Sequence, residues 1–340
     1  MGIPSSVQRE RLDGKVFSLE KMTFFAPVEK VTLSYLGGIT NHGLKDDERN
    51  LFVRIPGEKS ELLVDRDAEL DTLTKLAIRG LYPPVIEAYS KGELAGYKIE
   101  HFIEGETLQF DTFHLYQTVV LPTLKELHDS GIQFVNEFNI FTRLNVMIET
   151  LRFNEINTIP YFNAEHLSSM PLESIKRYID ELQDKMARLF PYEIELSPCH
   201  NDITPTNFIK LKYPIHRRSY QMIDWEYAGM NDRMYDVAML AAMLGLTPEQ
   251  QAGLVLNYFN STNEERYVEE IKRVRFYTPL VKLYYGLWAA LQVAMCNESS
   301  SIDELRSGWG PQSINVFLDQ YHSDDYQELL RDPATIGMYK

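Results

Sequence analysis

The sequence predicts an α+β fold in two lobes, a small N-terminal lobe rich in strands and a larger C-terminal lobe built mostly of helices. Three observations carry that prediction. At 340 residues the chain exceeds the span of one ordinary hydrophobic core. Up to residue 103, short strand-like stretches surround one long helical stretch. From residue 104 to 340, apolar residues recur mainly at helical spacing.

In chain order, residues 1–20 are polar and mixed and carry no assigned role. Val31, Leu33 and Tyr35 alternate with Thr32 and Ser34, which predicts a strand. It runs into a glycine-rich turn, Leu36-Gly37-Gly38-Ile39-Thr40-Asn41-His42-Gly43. Leu51 to Ile55 predicts a second strand, stopped by Pro56-Gly57. A helix is expected from Ser60, as N-cap, to Arg79, with Gly80 as its C′ residue. Val85–Tyr89 and Tyr97–Phe102 read as a hairpin, and Ile103 to Glu106 as the crossing to the second lobe. There, Leu115, Val119, Leu124 and Leu127 form a helical stripe that Pro122 is expected to kink. Residues 135–193 read as further helices. The one hairpin expected in this lobe pairs Phe208–Leu211 with Tyr220–Ile223. Helices follow around Val237–Leu244, Pro248–Phe259 and Phe276–Met295, the last apolar nearly all round and so buried.

Composition narrows the function. A net charge of −15 argues against a nucleic-acid partner, which basic patches would serve; it would steer a small cationic substrate, or simply keep the protein in solution. Two cysteines exclude a disulfide framework and a four-cysteine zinc site. No apolar run is long enough to insert into a membrane, and the N-terminus lacks a signal-peptide core, so the expected address is cytoplasmic. Nothing in the sequence specifies an oligomeric state.

Chemistry concentrates between Leu196 and Gly229. His200-Asn201-Asp202, with Asn207 five residues later, has the spacing His-x-Asp-x4-Asn. In kinase catalytic loops that spacing supplies a carboxylate to accept the acceptor's hydroxyl proton and an amide to hold Mg²⁺. Asp224 follows at the end of the next strand, where the second metal-holding residue, an aspartate, belongs. Phosphoryl transfer suits such a set, because the protein must align one oxygen and neutralise phosphates rather than form bonds of its own. His200 reads as a packed residue that fixes the loop.

With these residues in place, the chain from Tyr35 to Trp288 resembles the choline/ethanolamine kinase-like members of the aminoglycoside phosphotransferase superfamily, small-molecule relatives of protein kinases. The resemblance implies a protein-kinase-like bilobal fold, with residues 1–103 binding nucleotide and 104–340 carrying catalysis and the acceptor. YLGGITNHGLK is similar to the family's first hairpin, which would bring Gly37, Gly38, Thr40 and Asn41 to the phosphates of ATP. LFVRIPG is similar to the strand bearing the phosphate cation, here Arg54, and the following helix offers Glu69 as its ion-pair partner. YKIEHFIEGETL resembles the hinge that meets adenine, around Glu100, Phe102 and Ile103. Asp202, Asn207 and Asp224 take the catalytic roles, with Asn207 and Asp224 on Mg²⁺, and Asp236 braces the catalytic loop.

IDWEYAG is similar to the choline/ethanolamine kinase form Asp-Phe-Glu-Tyr, and LYYGLWAALQ to the helix that supplies aromatics to the choline pocket. The resemblance therefore assigns the acceptor to Asp202, Glu226, Tyr227, Tyr285 and Trp288. A quaternary ammonium has no N–H to donate, so aromatic faces and carboxylates are its natural receptor. Aromatics on a buried helix also serve simply as core. Thr204 and Tyr285 stand where animal-type choline kinases carry glutamine and tryptophan. The expected reaction is transfer of the ATP γ-phosphate to a hydroxyl of a small cationic acceptor, choline or ethanolamine first. An aminoglycoside, amino-acid or sugar-alcohol acceptor is the alternative, and a catalytically inactive binding protein on the same fold is the reading from another class.

Overall fold

The computed structural model describes residues 11–12, 15–16, 33–37, 41–57, 60–109, 116–163, 166–215, 218–295 and 306–331. Its chain divides into two compact units. The first comprises residues 1–108 and 208–227, the second residues 109–207 and 228–340. The hairpin after Asn207 thus belongs to the strand-rich unit, although it lies a hundred residues beyond that unit's first segment.

In the first unit, β1 (Leu33–Gly37), β2 (Asn41–Asp46), β3 (Leu51–Pro56), β4 (Glu87–Ala88) and β5 (Lys98–His101) form an antiparallel sheet in the order β1-β2-β3-β5-β4. The turn expected over residues 36–43 is therefore shorter, because Asn41 already pairs with Pro56 and Gly43 with Arg54. On β3, Leu51, Val53 and Ile55 alternate toward one face and are buried, as a half-buried strand requires. Arg54 points to the other face, directly opposite Lys98 on β5. Two cations paired across a ladder repel, so that face needs anions.

Helix α1 (Arg66–Ile78) supplies one of them. Its N-cap is Asp65, whose side chain accepts from Ala68 N at 3.0 Å, not Ser60 as expected. Ser60 to Leu62 form a separate 3₁₀ turn, and the extended backbone of Asp65 interrupts the apolar run that mimicked helical spacing. Leu73 and Leu76 bury one face of α1, and Gly80 leaves it at φ +66°, the left-handed C′ position. The unit also holds a three-stranded sheet, β6 (Gly105–Thr107) pairing with strand Phe208–Ile215 and that strand with Arg218–Met222, and a short antiparallel pair, Arg11–Leu12 with Lys15–Val16. The crossing expected at Ile103 to Glu106 is thus partly a strand.

The second unit is helical around one long buried helix. Its helices are α2 (Leu121–His128), α3 (Ile140–Phe153), α4 (Leu172–Leu189), α5 (Arg233–Leu244), α6 (Pro248–Tyr258), α7 (Val268–Met295), α8 (Trp309–His322) and α9 (Asp324–Leu329). Pro122 does not kink a continuous helix. Tyr116 to Val120 make a wide π turn, and Pro122 sits in the first turn of α2, where its missing N–H costs nothing. A second hairpin, Thr158–Asn163 with His166–Pro171, stands where only helices were expected. Helix α7 buries Leu280, Leu283, Leu287 and Leu291, and packs on α8, α5 and α3. Gly286 has no Cβ, which lets Ile314 of α8 close on it. Strand Leu196–Cys199 pairs antiparallel with Gly229–Asp232, and Asp232 caps α5 by accepting from Met234 N at 2.9 Å.

Candidate active site

In the first unit a buried network of charge gathers on the Arg54 face of the sheet. Arg54 grips Glu69 with both terminal nitrogens, Nη1 to Oε1 at 2.5 Å and Nη2 to Oε2 at 2.8 Å. Its Nε and Nη2 also donate to the Gly96 carbonyl at 3.2 and 3.1 Å. Lys98 lies 3.7 Å from Glu69 and 2.9 Å from Glu100. Burial alone would lower the pKa of Arg54, but Glu69, Glu226 and Asp224 outweigh it and hold the guanidinium charge firmly. For Glu69, burial pushes its carboxyl up and is overcome by Arg54, Lys98 and Arg66, which hold it well below the usual carboxylate range. The pair is bidentate and almost fully enclosed, unlike a surface ion pair.

Asp224, in the same unit, has φ +64°, a left-handed backbone that a non-glycine residue holds only where its surroundings impose it. Those surroundings are visible on its C-terminal side. Trp225 is buried, packs edge-on to Tyr82 at 6.3 Å and donates from Nε1 to the Met222 carbonyl at 3.3 Å. Glu226 Oε2 accepts from Asn41 Nδ2 at 2.9 Å and from Arg66 Nη1 at 3.0 Å. Phe102 and Ile103 line a cleft of about 500 Å³ with Tyr82, Leu211, Tyr213 and Gln221. Glu100 is buried, its side chain on Lys98.

In the second unit the segment from His200 to Asn207, the candidate catalytic loop, is pinned from below. Asp236 on α5 accepts the backbone N–H of His200 at 2.9 Å and of Asn201 at 2.8 Å, one on each carboxylate oxygen. Its Oδ2 also meets His128 Nε2 at 3.0 Å, and His128 Nδ1 meets the Tyr258 hydroxyl at 2.7 Å. Asn201 takes φ +63°, held by Asn231 Nδ2 donating to its Oδ1 at 2.8 Å. His200 is fully buried, and its Nδ1 accepts from Asp202 N at 3.3 Å. His128, Cys199 and Asp236 are close enough together to hold a metal. The hydrogen bonds just given already engage His128 and Asp236. Burial, then Asp236 and Asp232, push the Cys199 thiol well above its ordinary pKa, which suits it to neither a metal nor nucleophilic attack.

At the tip of that loop, Asp202 is only half-buried and has both carboxylate oxygens addressed. Tyr285 donates its hydroxyl to Oδ1 at 3.1 Å, and Asn207 Nδ2 donates to Oδ2 at 2.9 Å and to the Asp202 carbonyl at 2.9 Å. Burial, and next Asp202, push the Tyr285 phenol well above its ordinary pKa, so it stays protonated and donates. Around Tyr285 the aromatics cluster. Trp309 meets it edge-on at 6.5 Å, and Trp288 stacks on Trp309 at 5.8 Å with 17° between the planes.

The sequence-predicted residues are thus divided between the units. Asn41, Arg54, Glu69, Glu100, Phe102, Ile103, Asp224, Glu226 and Tyr227 belong to the first, and Asp202, Asn207, Tyr285 and Trp288 to the second. Gly37 ends β1 and pairs with Gly43, while Gly38 and Thr40 lie outside the described residues. Sequence reasoning missed Arg66, Lys98, Gly96 and Trp309. Arg66 had a signal, three residues before Glu69 on one helix face. Trp309 had a weaker one, a rare residue between two glycines but twenty-one positions from Trp288.

Against known proteins, the family model described as "Choline/ethanolamine kinase" matches residues 33–244. Protein LicA of Haemophilus influenzae is 25% identical over 290 residues, which cover 80% of this chain and 77% of that protein. A probable choline kinase 3 of Arabidopsis thaliana is 26% identical, over 72% of this chain and 71% of that one. Among solved structures, a choline/ethanolamine kinase family protein from Mesorhizobium loti superposes with a TM-score of 0.67 at 22% identity, covering 92% of this chain and 95% of its own. That likeness establishes the protein-kinase-like fold. With more than half its length matched by the family model, the chain belongs to the choline/ethanolamine kinase family and is an ATP-dependent phosphotransferase with an alcohol group as acceptor.

Proposed function

We propose that the acceptor is choline or ethanolamine and that the donor is the Mg²⁺ complex of ATP. The observation that carries the reading is Asp202, a carboxylate on a loop pinned by Asp236, with an aromatic cluster beginning at the tyrosine bonded to it. Asp202 would orient the acceptor hydroxyl and take its proton as the oxygen attacks the γ-phosphorus and ADP leaves, the Tyr285 hydroxyl keeping its bond to Oδ1. The ammonium end would lie against Tyr285, Trp288 and Trp309, where a desolvated cation–π contact is worth about 2 kcal/mol. Glu226 and Tyr227 remain acceptor candidates from the first unit.

For the donor, we assign the phosphates to Arg54, held by Glu69, with the turn of Gly37, Gly38, Thr40 and Asn41, and adenine to the hinge at Glu100, Phe102 and Ile103. The donor set fits Mg²⁺. Asp224 offers a carboxylate and Asn207 an amide oxygen, its Nδ2 being the atom turned to Asp202, and hard oxygen ligands are what this ion selects. When bound, the ion would neutralise charge on the phosphates. On this reading residues 1–103 serve the nucleotide and 104–340 catalysis and the acceptor, in the cytoplasm, where ATP is supplied. Among the described residues no helix is long and apolar enough to cross a membrane.

The test is ADP release over a panel of choline, ethanolamine, aminoglycosides, homoserine and sugar alcohols. Choline or ethanolamine should give the highest kcat/KM. Turnover of another acceptor with neither of these would remove the amino-alcohol reading and keep the kinase. In the same assay Asp202→Asn should lose about 10²–10⁴ in kcat while nucleotide binding survives; unchanged turnover would sink the role given to Asp202.

A further inference from the structure

We infer that Arg66 is a positioning residue for nucleotide binding, a clamp that ties the end of the glycine turn to the segment bearing Asp224. The inference deepens, and rests on, the phosphate and metal roles proposed above.

Arg66 stands in the first turn of α1 and is buried. Its Nη1 donates to Glu69 Oε2 at 2.9 Å and Glu226 Oε2 at 3.0 Å, and its Nη2 to Asn41 Oδ1 at 3.2 Å and Ser60 Oγ at 3.0 Å. Asn41 closes the circuit by donating to the same Glu226 oxygen at 2.9 Å. One planar guanidinium therefore gathers three segments far apart in sequence: the strand after the glycine turn, the helix that anchors Arg54, and the residue two positions past Asp224. A lysine could match its charge but not the fork of directed donors.

Gly96 shows that the space for this clamp is built. Its backbone has φ +87°, and a Cβ there would lie 2.9 Å from Pro56 Cβ and 3.0 Å from Arg66 Nε. The same residue's carbonyl receives Arg54. Both guanidiniums thus converge on a position that only glycine fills without strain.

The link to Asp224 runs through two residues. Asp224 holds a left-handed backbone, Trp225 is locked by packing, and Glu226 by Arg66 and Asn41. Without Arg66, Glu226 would keep Asn41, and its nearest cation would be Arg54, whose Nη1 lies 3.9 Å away. An enclosed carboxylate does not stay uncompensated. It would pull on Arg54, or move and release the strain at Asp224. Either shift disturbs the groups assigned to phosphate and metal, and leaves Asp202 and the aromatic cluster of the second unit alone.

Three full-length variants test this: Arg66→Lys, Arg66→Gln, and the double variant Arg66→Gln with Glu226→Gln, which leaves no unpaired charge and so guards against misfolding. Titration calorimetry with the non-hydrolysable analogue AMP-PNP, with and without Mg²⁺ and with no acceptor present, is the primary reading. We expect the Mg²⁺-dependent gain in nucleotide affinity to fall by roughly tenfold in all three, and KM for the acceptor to stay within about twofold of wild type in the two variants that change Arg66 alone. A folded variant that binds the Mg²⁺ complex as wild type does overturns the inference, as does an Arg66 single variant in which nucleotide and acceptor affinity fall together. The calorimetry needs no turnover, so its result stands whatever the acceptor panel returns.

Discussion

Tyr285 joins the proposed catalytic carboxylate to the aromatic wall in one side chain, with its ring against Trp309 and its hydroxyl on Asp202 Oδ1 at 3.1 Å. Replacing it by phenylalanine keeps the ring and removes the donor. A hydrogen bond to a charged group is worth about 1.5–3 kcal/mol, part of which the incoming hydroxyl regains, so kcat should fall by roughly tenfold for choline. KM for ATP should not move. Steady-state kinetics of Y285F decides this, and an unchanged kcat would mean that Asn207 and the loop alone orient the base. At this scale the sequence was informative where chemistry dictates residue type. The spacing of Asp202 and Asn207 was readable, and so was the pairing of a strand arginine with a helix glutamate. The clamp on Glu226 was not, because Arg66 meets Asn41 and Glu226 only after three segments have folded together.

Single elements were legible where a local rule decided them, and misread where tertiary packing did. Helix α6 begins with a capping box of Thr247 and Gln250 and Pro248 in its first turn, and its expected bounds were close. Leu62, Leu63 and Val64 extend the apolar run back to Ser60 and so imitate an earlier start for α1, whereas Asp65 is the residue whose side chain reaches an open N–H. The hairpin at Thr158–Pro171 lacks a tight-turn signature and contains prolines, so nothing local announced it. Helix α1 also carries a stability prediction. The folded-state pKa of Glu69 lies below that of the unfolded chain, near 4.3. Its contribution is therefore fully present above that value and is lost as pH falls toward the folded pKa. Glu69→Gln strands Arg54 beside Lys98 and should cost about 3–5 kcal/mol. The gap in melting temperature between wild type and E69Q should be flat from about pH 8 to 5.5 and narrow below about pH 4.5. A gap independent of pH throughout would refute it.

Over the whole molecule, a net charge of −15 surrounds a reaction in which one substrate is proposed to be a cation and the other is an anion. With ATP saturating, kcat/KM for choline should fall several-fold between low and about 0.5 M salt, as screening removes the attraction. The neutral isostere 3,3-dimethylbutanol, lacking the charge, should show no such slope. Equal slopes for the two would assign the salt effect to something other than steering. The division into two units was foreseen from length and from the change of periodicity. That Phe208 to Tyr227 rejoin the first unit was not, since a strand's partner, here Gly105 to Thr107, is a matter of distant pairing rather than local pattern.

The chain has three tryptophans, and their placement makes the protein its own reporter. Trp288 and Trp309 lie nearly parallel in the second unit, 5.8 Å apart, close enough for their excited states to couple and to give a paired signal in the near-ultraviolet circular dichroism. Trp225 stands alone in the first unit, buried beside Tyr82 and next to Asp224. Events at the two ends of the reaction therefore fall on different chromophores: one exciton pair beside the candidate acceptor wall, and one shielded indole beside the candidate metal aspartate. The couplet of the pair and the emission of the buried indole can each be followed without a label in the unaltered chain.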